Sequence, residues 1–126
     1  MIKDQVHGKF KVFAGQLQAD NTIGPLADEV ARFVSANKVA PKSIGIEYLE
    51  SAKRLILTLG YRDDEAHYPV RVTCVPLGKV DVSSSDFSAL EAAMTAASKQ
   101  QGNVICHELY VTGDHQLLMI FMVSGA

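Results

Sequence analysis

The sequence has no excess of charge of either sign. Its 126 residues include 12 Lys and Arg against 14 Asp and Glu, which gives a formal net charge of −2 at pH 7. Proteins that bind nucleic acids normally carry a clustered basic excess, so this balance argues against such a partner. Hydrophobic residues make up 48% and charged residues 21% of the chain, as is typical of a globular protein. The length fits a single domain over residues 1–126.

Long apolar runs and cysteines are scarce as well. The longest uninterrupted apolar run, Leu117 to Val123, is too short to cross a bilayer. The first five residues lack the apolar stretch of a signal peptide. The two cysteines, Cys74 and Cys106, show no Cys-x-x-Cys spacing. We therefore expect a cytoplasmic protein with no membrane partner, whose two thiols are reduced and not joined by a disulfide.

No motif with a specific catalytic mechanism is present in the sequence. It contains no Gly-x-Gly-x-x-Gly, no phosphate-binding loop, no Gly-x-Ser-x-Gly and no His or Cys spacing typical of a metal site. His67 comes shortly after three acidic residues, Asp63 to Glu65, but such a run is typical of a solvated loop. The cluster Ser83 to Asp86 is typical of a helix N-cap. We therefore expect no bound metal and no cofactor.

The first half of the chain predicts a strand, a helix and a hairpin. Residues 9–14 alternate as in a strand. Pro25 suits the first turn of a helix that should end near Asn37. Residues 43–49 and 55–61 should pair as a hairpin, because one register puts all their apolar side chains on one face. That register pairs Ile44 with Leu59, Ile46 with Leu57, and Tyr48 with Leu55. The apolar stripe of the helix is Leu26, Val30, Phe33 and Val34.

The second half predicts the same order of elements. Residues 68–75 are expected to form a strand that extends past Pro76 or bends there. A second helix should end near Gly102. Residues 103–111 and 116–123 should form a hairpin with a two-residue turn at Gly113 and Asp114. The apolar stripe of the second helix is Phe87, Leu90, Met94 and Ala97.

Each half therefore has the order β-α-β-β, over about residues 9–63 and 68–124. We expect an α+β fold in which the halves form one largely antiparallel sheet of about six strands, with both helices on one face. This plan resembles the topology of the metal-dependent glyoxalase-like folds. The inward His and Glu ligands of those folds have no matching set of positions in this sequence. The resemblance therefore implies a topology and no site residues.

The predicted C-terminal hairpin supplies the candidate site. A two-residue turn pairs His107 with Ile120 on the face that the helices cover, which makes His107 a hydrogen-bonded core histidine. The opposite face is then uncovered, although nearly all of its side chains are apolar. The candidate ligand-binding or interface residues on this face are Cys106, Glu108, Tyr110, Leu117, Met119, Phe121 and Val123.

An uncovered apolar face on a small and nearly neutral chain predicts a partner surface. We expect a non-enzymatic, self-associating binding or assembly protein, as a homodimer or higher oligomer, which could also take a small-molecule ligand. The alternative is a small-molecule isomerase or hydrolase with Glu108 as general acid or base and Tyr110 as hydrogen-bond donor. An arginine partner for Glu108, from Arg54, Arg62 or Arg71, would favour assembly. An open pocket around an unpaired Glu108 would favour the enzyme.

Overall fold

The computed structural model describes residues 8–17, 23–79, 86–112 and 116–125. Within these residues the chain is an α+β fold with two helices and six antiparallel strands. Neither helix is long and apolar enough to span a bilayer. The elements in chain order are β1 (Lys9–Gly15), α1 (Gly24–Asn37), β2 (Ala40–Leu49), β3 (Arg54–Arg62), β4 (Val70–Gly78), α2 (Ser88–Gln101), β5 (Val104–Val111) and β6 (Leu117–Ser124).

The strands form two three-stranded sheets instead of the single six-stranded sheet that the sequence predicts. The first sheet has the order β1-β3-β2, and the second has the order β4-β6-β5. Strand β2, at one edge of the first sheet, lies beside β5, at one edge of the second. At this junction the Ile44 N–H donates to the thiol of Cys106. β2 and β5 are not paired by backbone hydrogen bonds as strands of one sheet, so the described residues form two sheets.

The hairpin of β2 and β3 has the predicted register. The cross-strand pairs are Ile44 with Leu59, Ile46 with Leu57, and Tyr48 with Leu55. Alternate side chains of a strand point to one face of the sheet. The three leucines of β3 are at most 1% exposed on that face. The prediction is confirmed, and its reason is that a slip of one residue would move all three leucines to the solvent side.

Helix α1 covers the buried face of the first sheet. Pro25 occupies its first turn, where the missing N–H has no intrahelical acceptor in any case. Lys38 ends the helix in the left-handed conformation, with φ of 53°. The predicted apolar stripe packs into one core cluster with the leucines of β3 and with Val70 and Val72 of β4. The first sheet, α1 and the second sheet therefore share one core.

Helix α2 lies on the second sheet. Phe87, which the sequence places on the apolar stripe of this helix, precedes it and is 43% exposed, so that part of the prediction is wrong. Asp86 accepts hydrogen bonds from the Ser88 N–H at 3.0 Å and from the Ser88 hydroxyl at 2.8 Å. The rest of the predicted N-cap cluster, residues 83–85, lies outside the described residues. Gly102 ends the helix with φ of 90°, which glycine adopts without a Cβ clash. Ala97 is buried against β6 in a cluster with Met119, Phe121 and Val123.

The two helices lie on opposite faces of the second sheet, so the prediction that both cover one face is wrong. Strand β6 shows this arrangement. Ile120 and Met122 belong to the core cluster that contains α1, whereas Met119 and Phe121 belong to the cluster under α2. The stripe of a helix predicts which side of that helix is buried. It does not predict which face of a sheet receives it, because that choice depends on contacts distant in the sequence.

Candidate functional site

The predicted register of the C-terminal hairpin is wrong by one residue. Glu108 lies opposite Ile120, and Tyr110 lies opposite Leu118. Directly opposite residues share a face of the sheet. Cys106, Glu108 and Tyr110 therefore lie on the face toward the first sheet. They are separated from the four residues with which the sequence groups them, namely Leu117, Met119, Phe121 and Val123.

The length of the hairpin connection accounts for this slip. The Thr112 N–H donates to the Gln116 carbonyl oxygen at 2.8 Å, and the Gln116 N–H donates to the Thr112 Oγ1 at 3.1 Å. Because Thr112 pairs with Gln116, three residues connect the strands instead of the predicted two. The predicted turn residues, Gly113 and Asp114, lie outside the described part of the chain. Loop length sets hairpin register, so one extra connecting residue changes which face each side chain occupies.

Both faces of β6 are covered within the chain. Every residue from Leu117 to Val123 is buried. Phe121 is 0% exposed and belongs to the cluster that contains Ala97 of α2. The prediction of an uncovered apolar face at this strand is therefore wrong, and the reason for placing an interface there no longer holds. A strand that is apolar on both sides takes the central position of its sheet.

Within the described residues, Glu108 has neither the arginine partner expected of an interface carboxylate nor the open pocket expected of a general acid or base. It is half-buried on β5 and lines neither of the two clefts described below. Within the described residues, no ion pair joins Glu108 to any of the three predicted arginines. Arg62 instead pairs with Asp64 at 2.8 Å, and Arg71 donates to the Gln101 carbonyl oxygen at 2.8 Å. Neither an arginine partner nor an open pocket is found at this carboxylate in that part of the chain.

The thiol of Cys106 lies at the junction of β5 and β2. Burial raises the pKa of this thiol, the Ile44 N–H acts in the opposite direction, and the nearby Glu108 raises the pKa again. A raised pKa disfavours the thiolate, which is the nucleophilic form of cysteine. Cys74 lies on β4, with β6 between the two cysteines. Two strand spacings amount to about 9.5 Å, which is too far for a disulfide.

Cys106 is expected to react slowly with iodoacetamide in the native protein. Its burial and its raised pKa both lower the amount of accessible thiolate. The native rate at about pH 8 should be at least roughly tenfold below that of the urea-unfolded chain, and its pH profile should shift upward. Mass spectrometry of the Cys74→Ser variant, which keeps Cys106 as its single thiol, measures both rates. Equal rates with and without urea would contradict the half-buried position of Cys106 at the junction of β5 and β2.

A cleft opens where the ends of the edge strands β2 and β5 meet. Its cavity volume is about 610 Å³, which lies within the range of small-molecule sites. Tyr48 comes from the end of β2, Glu50 and Lys53 come from the turn that follows, and Tyr110 comes from the end of β5. The remaining lining residues are Gln16, Leu17, Val111 and Thr112.

The two tyrosines line the same cleft because both point to the inner side of their sheets. Tyr48 lies opposite the buried Leu55, and Tyr110 lies opposite the buried Leu118. Tyr48 is nevertheless 41% exposed, because it lies near the end of β2, at the wall of the cleft. Burial raises the pKa of Tyr110, and the nearby Tyr48 and Glu50 raise it further. A tyrosine hydroxyl is protonated at neutral pH at its ordinary pKa, so Tyr110, whose pKa is raised, also has an O–H to donate.

Sequence reasoning found Tyr110 and missed the other polar residues of this cleft. The alternation of β2 assigns Tyr48 to the core, and the positions of Glu50 and Lys53 are typical of a surface turn. A signal was present in the two halves of the chain. Strands β2 and β5 each carry a tyrosine near the end of the strand, at an inner position. This signal has meaning only when β2 and β5 are known to be neighbours.

A second and smaller groove lies between α2 and β5. Its cavity volume is about 280 Å³, and its lining includes Met94, Lys99 and His107. His107 lies opposite Phe121 and is exposed. The prediction of a hydrogen-bonded core histidine is therefore wrong. β5 is an edge strand that α2 covers only in part, so its side chains on this face remain open to solvent.

Comparisons with known proteins find no similar protein. A scan against models of protein families gives no match, and searches of curated proteins and of solved structures give no significant match either. Among the residues that the structure describes, no three His, Cys, Asp or Glu side chains lie close enough together to hold a metal ion. The chemistry of this protein is therefore inferred from its own surfaces.

Proposed function

We propose that the protein is a non-enzymatic, self-associating binding domain whose copies pair through the free edge of β1. The observation that carries this proposal is the position of β1 in the first sheet. It pairs with β3 along one edge, and no described strand pairs with its other edge. An unpaired edge offers a row of backbone N–H and C=O groups to which another strand can add.

The side chains on the outer face of β1 are apolar and exposed. Phe10 is 71% exposed and Val12 is 56% exposed, and Ala14 on the same face is exposed as well. The Phe10 ring lies beside Gly60, because a Cβ built on Gly60 would be 3.4 Å from the Phe10 Cε1. This apolar stripe runs along the free edge. Its burial would favour a partner strand.

The two lysines of β1 have partners within their own chain. Lys9 forms an ion pair with Asp63. The Lys11 ammonium lies 5.8 Å from the centroid of the Phe33 ring, within cation–π range. Charged side chains on an edge strand prevent association when pairing would leave them without a partner. In a dimer through β1 both ammonium groups would keep these partners. The two lysines therefore protect this edge only weakly against association with another strand.

A second copy of the chain fits this edge in an antiparallel arrangement. A two-fold axis at the middle of β1 would bring Val12 next to Val12 of the partner subunit. Phe10 would lie across from Ala14 of the partner subunit, and the two first sheets would join into one. Seven residues of β1 are available for pairing. Backbone hydrogen bonds and partial burial of the apolar stripe together support a dissociation constant in the micromolar range, or about 8 kcal/mol.

The Val12→Lys variant is expected to dissociate this dimer. Two lysines would face each other across the axis, and like charges directly opposite are destabilising. Sedimentation equilibrium should give twice the 13.7 kDa of one chain for the unmodified protein. For the variant we expect dimerisation that is weaker by at least about tenfold, which corresponds to about 1.4 kcal/mol.

Val111→Lys is the matched control for this experiment. Val111 has the same side chain and a similar exposure, 54%, but it lies on β5 of the second sheet. This control should leave the dimerisation constant unchanged. A protein that is monomeric at micromolar concentration would overturn self-association. A dimer that tolerates Val12→Lys as well as Val111→Lys would overturn the interface at β1.

We infer further that the chain consists of two β-α-β-β halves with a common plan. What supports this inference is the strand order. Within each half the first, third and second strands are neighbours in that order, as β1-β3-β2 and as β4-β6-β5. The second strands of the two halves, β2 and β5, are also the strands that lie side by side.

The alternative function, a small-molecule isomerase or hydrolase, would need an accessible pocket at Glu108. Glu108 does not line the cleft between β2 and β5 or the groove beside α2. Cys106, which shares the inner face with Glu108 and Tyr110, has a pKa that burial raises, which does not favour a nucleophile. No observation therefore favours the enzyme over the binding domain.

A further inference from the structure

We propose that the cleft between β2 and β5 binds a small zwitterion with an aromatic group, of the chemical class of dipeptides that carry one aromatic side chain. The site shares no residue with β1, so this inference is independent of self-association through that strand. It rests on two features of the cleft. They are a pair of tyrosines at its wall and two opposite charges at its mouth.

The tyrosines provide the aromatic contact. Tyr48 and Tyr110 come from neighbouring strands of different sheets and line the same cleft, and Tyr48 is near enough to help raise the pKa of Tyr110. The side chains of Leu17 and Val111 add apolar surface to the same cleft. Aromatic rings pack well against one another in offset or edge-to-face geometry. An aromatic ligand side chain therefore fits this wall better than a polar one.

The opposite charges provide the zwitterion contact. Glu50 and Lys53 lie in one tight turn, where the Lys53 N–H donates to the Glu50 carbonyl oxygen at 3.3 Å. Neither side chain forms an ion pair within the described part of the chain. The carboxylate of Glu50 can accept from a ligand ammonium, and the ammonium of Lys53 can donate to a ligand carboxylate. One anion and one cation in the same turn match a ligand that carries both charges.

The size of the cleft agrees with a dipeptide. A cavity of about 610 Å³ lies in the middle of the range for drug-sized ligands. The Tyr110 hydroxyl, which like any tyrosine hydroxyl carries its proton at neutral pH, can donate to the peptide carbonyl of the ligand. The expected orientation places the aromatic side chain against the tyrosines and the two termini at Glu50 and Lys53.

The test is a titration of the isotopically labelled full chain with phenylalanyl-alanine, followed by NMR. We expect amide shifts in residues 48–53 and 110–112 and a dissociation constant of about 1 mM or below. Two further ligands test the contribution of the two charges and that of the aromatic side chain separately. The same dipeptide with an acetylated N-terminus and an amidated C-terminus lacks both charges, and glycyl-alanine lacks the aromatic group. Each should bind at least about tenfold more weakly.

A pair of lysine variants tests the protein side of the contact. Lys53→Gln should weaken binding of phenylalanyl-alanine by about fivefold or more, because a charge-assisted hydrogen bond is lost. Lys38→Gln is the matched control. Lys38 is also an exposed lysine with a positive φ, 53° compared with 52° at Lys53, but it lies at the end of α1 and does not line the cleft. It should leave binding unchanged. No shifts at millimolar dipeptide, equal binding of the capped form, or equal effects of the two variants would each overturn the proposal.

Discussion

Replacing Phe121 by alanine is expected to lower the free energy of unfolding by about 3–5 kcal/mol. Phe121 is 0% exposed, at the centre of the second sheet and under α2. Its removal leaves a cavity that Ala97 and Met119 can fill only in part, because both are held by their own backbone elements. A domain of this size has a total stability of about 5–15 kcal/mol, so the loss is a large fraction of the whole.

Urea unfolding followed by circular dichroism measures this loss. The midpoint should fall by on the order of 2 M urea. If Phe121→Ala leaves too little folded protein, Phe121→Leu keeps most of the volume and should cost about 1 kcal/mol.

The matched control is Phe10→Ala at a concentration where the chain is monomeric. Phe10 is 71% exposed on β1, so this change should cost less than about 1 kcal/mol. Equal losses at Phe121 and Phe10 would contradict the burial of β6 within one chain.

The Ala97→Glu variant is expected to undock α2 from the second sheet. Ala97 is 6% exposed and packs with Met119, Phe121 and Val123. A carboxylate at this position would be taken out of water among apolar side chains of β6, and Arg71 on the same face of β4 already donates to the Gln101 carbonyl oxygen. Burial of an unpaired charge costs several kcal/mol, so we expect a loss of at least about 3 kcal/mol or separation of the helix from the sheet.

Ala96→Glu is the control for this variant. Ala96 is the preceding residue of the same helix and is exposed. The change in helix propensity is the same at both positions and is small, so Ala96→Glu should change stability by less than about 0.5 kcal/mol. Hydrogen exchange of the α2 amides distinguishes undocking from global unfolding. If Ala96→Glu were the more damaging of the two, the packed face of α2 would be assigned incorrectly.

Local patterns predicted the elements of the first half because the interactions that form them are local. Pro25 marks the start of α1, and the spacing of its apolar residues predicts the face that is buried. In the hairpin of β2 and β3 one face is apolar and the other is not. A change of register would therefore expose leucines such as Leu57, which makes the correct register recognisable from the sequence.

The same reasoning failed at the C-terminal hairpin for a physical reason. Strand β6 is apolar on both faces, so a slip of one residue exchanges one apolar face for another. Alternation then gives no preference between registers, and the choice depends on the connection between Thr112 and Gln116. This single slip moved Cys106, Glu108 and Tyr110 to the face opposite the predicted one. It also removed the argument for an interface on β6.

The sequence by itself determined the two helices, the six strands, the register of the first hairpin and the buried side of α1. Each of these follows from the period of apolar residues over a few turns or strand positions. Only the tertiary structure decided that two sheets form, that α1 and α2 lie on opposite faces of the second sheet, and that β2 meets β5. The cleft belongs to this second group, because Tyr48 and Tyr110 become neighbours only when two sheet edges distant in the chain pack together. Periodicity describes which side of an element avoids water, whereas the choice of its neighbour is made by packing across the whole molecule.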